Sequence, residues 1–265
     1  DWGGKRVGVR IKTLAGGWGL DDLLCLMQGA RHPDMIVLPK VSGPTDITTL
    51  AAVLEALDAR ARIGGGTGGR AGAAAEPVRI SAMIESDSGI ANVRAIAWAS
   101  PRVDALIFGV GDYLVDTGAR VVLDGAPAPD YGVAGPGPDG AVAWYPGDLC
   151  HHALSAVLVA SRAAGIAALD GPFARLADDA GFEASARKTA TMGLDGKWLI
   201  HPRQIEPANT LFAPTAAQIR WAREILALLA DGEGVRTHEG AMIDTAHSRL
   251  AARILARIPG GGEAP

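Results

Sequence analysis

The feature that most constrains this fold is a repeated pairing of a short apolar run with a following helical pattern. Six such runs occur, and each ends at a polar or glycine-rich corner. Strands that alternate with helices form a parallel sheet with helical crossovers. The sequence therefore predicts an α/β fold whose strands fall within residues 6–11, 35–40, 78–85, 103–109, 166–171 and 197–202.

The number of runs bears on which parallel fold is formed. The chain has 265 residues, close to the roughly 250 of a (β/α)₈ TIM barrel, yet it shows six strands and opens almost directly on one. We interpret residues 1–212 as a TIM barrel whose first two βα units are missing from this sequence. Residues 213–265 then form a C-terminal helical extension or lid. An open, doubly wound sheet of six strands is the alternative.

Two further patterns describe local structure. Thr215 and Gln218 have the spacing of a capping box, and apolar residues follow at helical spacing, so a helix is predicted to begin there. Residues 64–76 are nearly all Gly and Ala, and residues 124–140 are rich in Gly, Pro and Asp. Both stretches predict loops. The glycines of the first match a loose dinucleotide-binding pattern, but they follow a helix instead of a strand.

Composition narrows the classes of partner. The sequence has 25 basic and 29 acidic residues, which gives a net charge of −4, and it contains no run of basic residues. The electrostatic footprint of a nucleic-acid-binding protein is therefore absent. No apolar run reaches the roughly 18 residues of a membrane span. Cys25 and Cys150 form no CxxC pair, which is typical of a reducing compartment, and we expect a cytoplasmic protein.

The strand-end corners are where chemistry is expected, because reactive residues of parallel barrels lie at the carboxyl ends of strands. Glu85 and Asp112 follow consecutive strands, so adjacent strands would hold both within reach of one cation. One or two carboxylates commonly bind Mg²⁺, with waters and substrate oxygens completing the octahedron. We predict a Mg²⁺ site here, with Mn²⁺ as the alternative metal. Read in order, the corner residues are Arg10, Lys40, Glu85, Asp112, Asp170 and His201.

Two basic corners offer substrate contacts. Arg10 is at the end of the first run and would point its guanidinium toward the same carboxyl end of the barrel as Glu85 and Asp112. There it could bind a small carboxylate substrate through two hydrogen bonds. A rim ion pair is its alternative role. Lys40 is interpreted as a residue that neutralises charge or supports the carboxylates, because a metal and an arginine are expected close by. A Schiff-base lysine is the alternative.

The corners also resemble a known family, the citrate lyase β-subunit and HpcH/HpaI aldolase superfamily. Two further segments, residues 18–22 and the long segment before residues 145–148, are most similar to the L-malyl-CoA, β-methylmalyl-CoA and citramalyl-CoA lyases within it. The resemblance spans nearly the whole chain. The motifs that carry it are Met83-Ile84-Glu85-Ser86, Ser100-Pro101-Arg102, Gly109-Val110-Gly111-Asp112, Asp170-Gly171-Pro172-Phe173, residues 193–205 and Gly240-Ala241-Met242-Ile243-Asp244.

The resemblance implies a TIM barrel with Mg²⁺ on Glu85 and Asp112 and with substrate contacts from Arg10. It implies a catalytic Asp244 on a lid that covers a neighbouring subunit's site, in a homotrimer or hexamer. The helix after Asp244 is then expected to bury its apolar face against that neighbour. Family members begin with two strands that carry an Arg and an acidic motif, and this sequence has neither.

The implied reaction cleaves or forms a 3-hydroxyacyl-CoA through an enolate, with an oxoacid (glyoxylate or pyruvate) and acetyl- or propionyl-CoA as the other partners. Asp244 would move the proton at the acyl carbon, and we expect burial under the lid to raise its pKa. Backbone N–H groups of Gly109 and Gly111, with Lys40, would hold the oxoacid.

Three alternatives differ in substrate or class. One is an HpcH/HpaI-type aldolase that acts on free hydroxy-oxoacids without CoA. Another is citryl cleavage of the citrate lyase β-subunit kind. The third is a barrel without catalytic activity that serves as a subunit of an assembly. The absence of the first two βα units from this sequence would favour it. An intact-mass measurement, which shows whether further residues precede Asp1, tests the third alternative. A coupled assay of cleavage across malyl-, methylmalyl- and citramalyl-CoA is the most informative single experiment.

Overall fold

The computed structural model describes residues 4–29, 32–63, 76–121, 128, 130–230 and 234–258. The chain divides into two compact units, Asp1–Pro202 and Arg203–Pro265. The predicted domain boundary after residue 212 stays a prediction, since compactness alone does not test where a domain ends. Most of the loop predicted at 64–76, and residues 124–127 and 129 of the second predicted loop, lie outside the described residues.

The first unit alternates strands with helices, as predicted. A short 3₁₀ helix at Leu14–Gly16 adds to its regular elements, and another at Pro202–Gln204 spans the residues where the two units meet in sequence. The elements are β1 (Gly8–Arg10), α1 (Trp18–Gln28), β2 (Met35–Leu38), α2 (Pro44–Ile63), β3 (Arg79–Ile84), α3 (Asp87–Ala91), α4 (Val93–Ala97), β4 (Val103–Phe108), α5 (Val110–Asp116), β5 (Gly132–Pro136), β6 (Val142–Pro146), α6 (His151–Ala164), β7 (Ala167–Asp170), α7 (Asp179–Met192) and β8 (Gly196–Lys197).

Six strands form one parallel sheet in the order β1-β2-β3-β4-β7-β8. Each strand lies beside the next sheet strand along the chain, so the order never reverses. A doubly wound sheet needs such a reversal at its switch point, and that alternative is therefore wrong. The curled parallel sheet confirms the barrel-type α/β prediction. All six predicted strands occur, although the last is reduced to Gly196–Lys197.

Both faces of the central strands β2, β3 and β4 are buried, which is usual for parallel strands. Val37, Met83 and Ile107 pack together on one face, with Leu169 and Trp198 against them. Their neighbours along the strands, such as Ile36, Ile80 and Leu106, point to the other face and are fully buried. With both faces used for packing, the strand ends are the part of the sheet that can carry a reactive site.

The predicted loop at 124–140 is wrong for residues 132–136, which form β5. This strand pairs antiparallel with β6, with Val133 opposite Tyr145 and Ala134 opposite Trp144. The Tyr145 hydroxyl donates to the Pro136 carbonyl at 2.7 Å. Gly and Pro hide the strand in the sequence, because Val133 is its one residue of high strand propensity, whereas Val142, Trp144 and Tyr145 all lie on its partner.

The second unit contains α8 (Ile205–Phe212), α9 (Ala216–Leu228), β9 (Val235–His238), β10 (Ala241–Asp244) and α10 (Thr245–Leu255). The capping box is confirmed: the Thr215 hydroxyl accepts from the Gln218 amide at 3.2 Å, and the Gln218 side chain accepts from the Thr215 amide at 2.8 Å. Across the described residues, no helix is long and apolar enough to cross a membrane.

Helix α10 packs within its own unit. Ala251 is buried in one cluster with Ala222 and Ile225 of α9 and Ile243 of β10. The expectation that this helix buries its apolar face against a neighbouring subunit is therefore wrong for the face that carries Ala251. The physical reason is that α9 supplies a complementary apolar stripe, which satisfies α10 without a partner chain.

Candidate active site

The ends of β3 and β4 bring a carboxylate against a glycine. The strands pair in register up to Ile84 opposite Phe108, so the next residues, Glu85 and Gly109, are neighbours. A Cβ added to Gly109 would lie 2.5 Å from Oε2 of Glu85 and 2.4 Å from its Cβ. Only glycine leaves room for the Glu85 side chain at this corner.

Glu85 is a buried carboxylate, 6% exposed. Burial raises its pKa, and a hydrogen bond from the Lys40 amide to Oε1, 2.7 Å long, opposes the rise. The charge of Asp112 also raises the pKa of Glu85, whereas those of Lys40 and Arg10 lower it. Four of the predicted site residues therefore share one electrostatic environment.

Lys40 joins the two carboxylates. Its φ of 53° lies in the left-handed region, which is uncommon for a residue with a side chain. In this conformation its amide donates to Glu85, while its Nζ donates to Oδ1 of Asp112 at 2.9 Å. The hydrogen bond and charge of Asp112 raise the pKa of Lys40. A Schiff-base lysine needs a lowered pKa, so the structure favours the supporting role.

Asp112 lies in the first turn of α5, directly after the Gly109 corner. Its side chain is more exposed than that of Glu85, so one carboxylate is buried and the other is open to solvent. A Cβ on Gly111 would meet nothing within 4 Å. Nothing at position 111 requires glycine for close packing, and its role in holding an oxoacid stays a prediction.

Arg10 is the last residue of β1 and is exposed. Its charge lowers the pKa of Glu85, so the guanidinium lies at the same end of the sheet as the carboxylates. A guanidinium presents a planar fork of donors that matches a carboxylate. The position is therefore compatible with the predicted contact to a substrate carboxylate.

The donor set fits a hard divalent cation. Glu85 and Asp112 supply carboxylate oxygens, which Mg²⁺ and Mn²⁺ prefer. In the part of the chain that the structure describes, no group of three or more His, Cys, Asp or Glu residues could hold a metal. A structural zinc site, which needs four protein ligands, is thus not indicated, whereas magnesium sites usually complete their octahedron with water and substrate oxygens.

Asp244 belongs to the second unit, where it ends β10 and caps α10. Its Oδ1 accepts from the Ala246 amide at 2.9 Å and lies 2.8 Å from Nδ1 of His247. The hydrogen bond with His247 and the one from Ala246 lower the pKa of Asp244. The predicted rise is wrong for this chain, because the side chain is 38% exposed and both bonds favour its charged form.

Sequence reasoning missed two residues beside these sites. His247 stands three positions after Asp244, a capping-box spacing that could have indicated it. Lys197 ends the short strand β8 and forms an ion pair with Asp170, the last residue of β7, with 2.5 Å between Nζ and Oδ2. The sequence identifies Asp170 as a corner residue and as part of a family motif but assigns it no partner, and nothing in the pattern around Lys197 predicts that its charge is buried.

Both cysteines are free. Cys150 precedes α6, and burial together with the charge of Asp148 raises the pKa of its thiol to about 11. A thiol with so high a pKa is protonated at neutral pH and is a poor nucleophile. The cysteine therefore carries no part of the chemistry considered for this site.

Known proteins resemble this chain over most of its length. The model of the HpcH/HpaI aldolase/citrate lyase family matches residues 3–202. The L-malyl-CoA/β-methylmalyl-CoA lyase of Cereibacter sphaeroides (strain ATCC 17029) is 35% identical over 260 residues, which cover 96% of this chain and 77% of the relative. The malyl-CoA/β-methylmalyl-CoA/citramalyl-CoA lyase of Chloroflexus aurantiacus is 32% identical over 258 residues, with 96% and 71% covered.

A solved structure agrees with these relatives. Mycobacterium tuberculosis CitE, in complex with magnesium, acetoacetate and coenzyme A, superimposes with a TM-score of 0.69 at 25% identity. The match covers 97% of this chain and 78% of that one. Sequence and fold comparisons therefore lead to the same group of proteins.

Proposed function

Because the chain belongs to the HpcH/HpaI aldolase/citrate lyase family, we propose that it is a Mg²⁺-dependent enzyme that cleaves or forms a 3-hydroxyacyl-CoA. It is a carbon–carbon lyase, as are its named relatives. The observation that carries the metal assignment is the buried Glu85 beside Asp112, with Lys40 bonded to both. CitE, a structural neighbour, was solved with magnesium and coenzyme A.

In the cleavage direction the substrate hydroxyl loses its proton and becomes the carbonyl of an oxoacid. The electron pair of the broken carbon–carbon bond passes to the acyl carbon, which gives the enolate of a CoA thioester. A proton delivered to that carbon completes acetyl- or propionyl-CoA. Bound Mg²⁺, held by Glu85 and Asp112, would act as a Lewis acid that favours negative charge on oxygen.

The remaining roles fall to side chains and amides of this chain. Arg10 binds the carboxylate of the oxoacid, and Lys40 adds positive charge while orienting both metal ligands. Amides of the corner from Gly109 to Gly111 contribute further donors. Asp244 accepts the proton from the acyl carbon in the bond-forming direction; its lowered pKa keeps it ionised at neutral pH but also makes it a weaker base than an ordinary carboxylate.

Asp244 belongs to a different compact unit from Glu85 and Asp112. We propose that it serves the site of a neighbouring subunit in a homotrimer or hexamer. This arrangement rests on the family resemblance and on the separation of the units along the chain. We also propose that the enzyme works in the cytoplasm, as its free cysteines led us to expect.

The test is a coupled assay of cleavage with malyl-CoA, β-methylmalyl-CoA and citramalyl-CoA, with citryl-CoA and free 4-hydroxy-2-oxoacids as comparison substrates. At least one of the first three should be cleaved, and a chelator should abolish the rate until Mg²⁺ or Mn²⁺ is restored. Cleavage of the free hydroxy-oxoacids alone would show an aldolase, and citryl-CoA alone a citrate lyase type. Turnover unaffected by chelation would refute the metal assignment.

A further inference from the structure

Two buried charges lie at the carboxyl ends of β7 and β8, outside the contacts described for Glu85 and Asp112. Asp170 stands opposite Lys197 in the sheet register, and their side chains are 7% and 2% exposed. Lys197 also donates to Ser185 of α7 at 3.3 Å. Burying such a pair is costly, and apolar replacements are often neutral or stabilising. Stability alone therefore does not account for it.

The second oxygen of Asp170 connects the pair to the corner after β4. Oδ1 accepts from the amide of Gly171 at 2.7 Å. A Cβ added to Gly171 would lie 2.4 Å from the Phe108 carbonyl oxygen and 3.3 Å from the Val110 amide nitrogen. The backbone of Gly171 therefore packs directly against the segment Phe108–Val110.

That segment is the one on which both proposed metal ligands depend. Gly109, at its centre, is in contact with Glu85. Val110, at its end, begins α5 and so determines where Asp112 lies. A shift of the segment by a few tenths of an ångström would alter the space for Glu85 and the direction of Asp112 together. Asp170 and Lys197 are both almost fully buried, so they have little surface with which to contact a substrate.

We propose that the Asp170–Lys197 pair is a positioning device for the proposed metal site. The charge of Lys197 fixes the carboxylate of Asp170, Asp170 holds Gly171 against the segment Phe108–Val110, and that contact keeps Glu85 and Asp112 in the geometry that binds a divalent cation. Both are positioning residues, since they act through the backbone. The proposal rests on the proposed function of Glu85 and Asp112 as metal ligands.

The test uses Mn²⁺ binding to the full chain, measured by calorimetry and by water-proton relaxation, alongside thermal unfolding. The variant Asp170→Asn/Lys197→Met removes both charges and keeps a carbonyl oxygen for the Gly171 amide. We expect its Mn²⁺ dissociation constant to rise by about tenfold or more, the range seen when residues behind metal ligands are changed. Its unfolding temperature should stay close to that of the wild type or exceed it.

A matched control lies nearer the amino ends of the same strands. Arg162 forms two hydrogen bonds with Asp195, both 2.8 Å, and Asp195 accepts from the Ala168 amide at 2.9 Å. The variant Arg162→Met/Asp195→Asn removes a pair of similar charge and connectivity. It should lower the unfolding temperature while leaving the Mn²⁺ dissociation constant within about twofold, because no metal ligand depends on it.

Asp112→Asn separates the two levels of the proposal. If it loses Mn²⁺ affinity while Asp170→Asn/Lys197→Met binds like the wild type, the positioning role is refuted and the metal site stands. If Asp112→Asn itself binds Mn²⁺ normally, the metal site and the positioning role both fall. Should the double variant not fold, Ser185→Ala, which keeps both charges and removes only the hydroxyl that accepts from Lys197, must still weaken Mn²⁺ binding, and unchanged binding then overturns the proposal.

Discussion

Glu85 and Asp244 are both proposed to take part in the reaction, yet their surroundings differ in almost every respect. Glu85 is buried at the end of β3 and has a raised pKa, with a backbone amide as its donor. Asp244 is partly exposed at the start of α10 and has a lowered pKa, with an imidazole and an amide as partners. Burial dominates at the first carboxylate and hydrogen bonding at the second.

The difference indicates two kinds of task. A desolvated carboxylate is unstable when charged, and a bound cation would offset that cost, so Glu85 is suited to hold a metal. An exposed carboxylate with its pKa lowered is ionised over a wide pH range and can accept a proton. The two residues also belong to separate compact units of the chain, so the two proposed tasks would be divided between units.

Changing the metal ligands should have the largest effect. Glu85→Gln and Asp112→Asn each remove a charged ligand, which is worth several kcal/mol in the transition state, or about a thousandfold in kcat/KM. Steady-state assays with and without added Mg²⁺ measure it. If either variant turns over like the wild type, that carboxylate does not bind the metal.

The same Glu85→Gln variant tests the sign of the pKa shift. A carboxyl whose folded pKa is raised favours the fold in its neutral form and destabilises it once ionised, at pH values above the raised pKa. Without metal at neutral pH, Glu85→Gln should therefore unfold at the same temperature as the wild type or higher. A large fall in unfolding temperature would mean that Glu85 is a structural residue.

The order of the fold follows from local signals, whereas much of the site does not. Six apolar runs and the Thr215 capping box predicted their elements because each depends on neighbours in sequence. The strand β5 was not predicted, because it is stabilised by pairing with β6 and not by a pattern within its own residues. Glu85, Asp112 and Lys40 could be predicted as residues at strand ends. Their contacts could not, because they depend on packing between segments that are distant in sequence. The same holds for the left-handed backbone conformation of Lys40 and for the burial of the Lys197 side chain.

The separation of tasks between units predicts complementation. Asp112→Asn and Asp244→Ala are each expected to be inactive, and subunit exchange between them should restore activity if Asp244 serves a neighbour's site. In a statistically mixed ring, about one quarter of the sites combine an intact Asp112 with an intact Asp244, because each such site needs one subunit of each kind in a fixed order.

Native mass spectrometry shows whether mixed oligomers form, and the cleavage assay then measures the recovered rate. Each variant incubated alone through the same exchange procedure is the control. Mixed oligomers that remain inactive would mean that Asp244 acts within its own subunit or has no part in the reaction.

A smaller effect is expected from the glycine at the buried carboxylate. Gly109→Ala places a Cβ 2.5 Å from Oε2 of Glu85, so the carboxylate must move, and we expect Mn²⁺ affinity to fall by about 10- to 100-fold. Gly111→Ala is the matched control, since its Cβ meets open space. Titration calorimetry on both variants checks this, and equal affinities for the two would contradict the close contact.

The exposed carboxylate should respond to pH through His247. Hydrogen bonding lowers the pKa of Asp244, so its contribution is present above the ordinary carboxyl pKa and is lost as the pH falls through the lowered one. His247→Ala should move the acid limb of the pH–rate profile for bond formation to higher pH. His247→Asn keeps a nitrogen donor and should restore the wild-type limb. An acid limb that is identical in all three proteins would exclude His247 from setting the ionisation of Asp244.

The smallest expected effect comes from a cap that belongs to the second unit alone. Thr215→Ala removes the hydroxyl that accepts from the Gln218 amide, which typically costs about 1 kcal/mol of stability. Thr210→Ala, on an exposed face of α8 in the same unit, should change the free energy of unfolding by less than about 0.5 kcal/mol. Hydrogen exchange of the α9 amides detects a local loss of stability in this helix even where a measurement of global unfolding does not resolve it. Because no ligand of the proposed metal site lies in this unit, Mn²⁺ affinity should be the same in both variants and in the wild type. A fall in Mn²⁺ affinity that follows the loss of protection in α9 would show that the two units are energetically coupled, and the contrast between Glu85 and Asp244 could then no longer be treated as a contrast between independent parts.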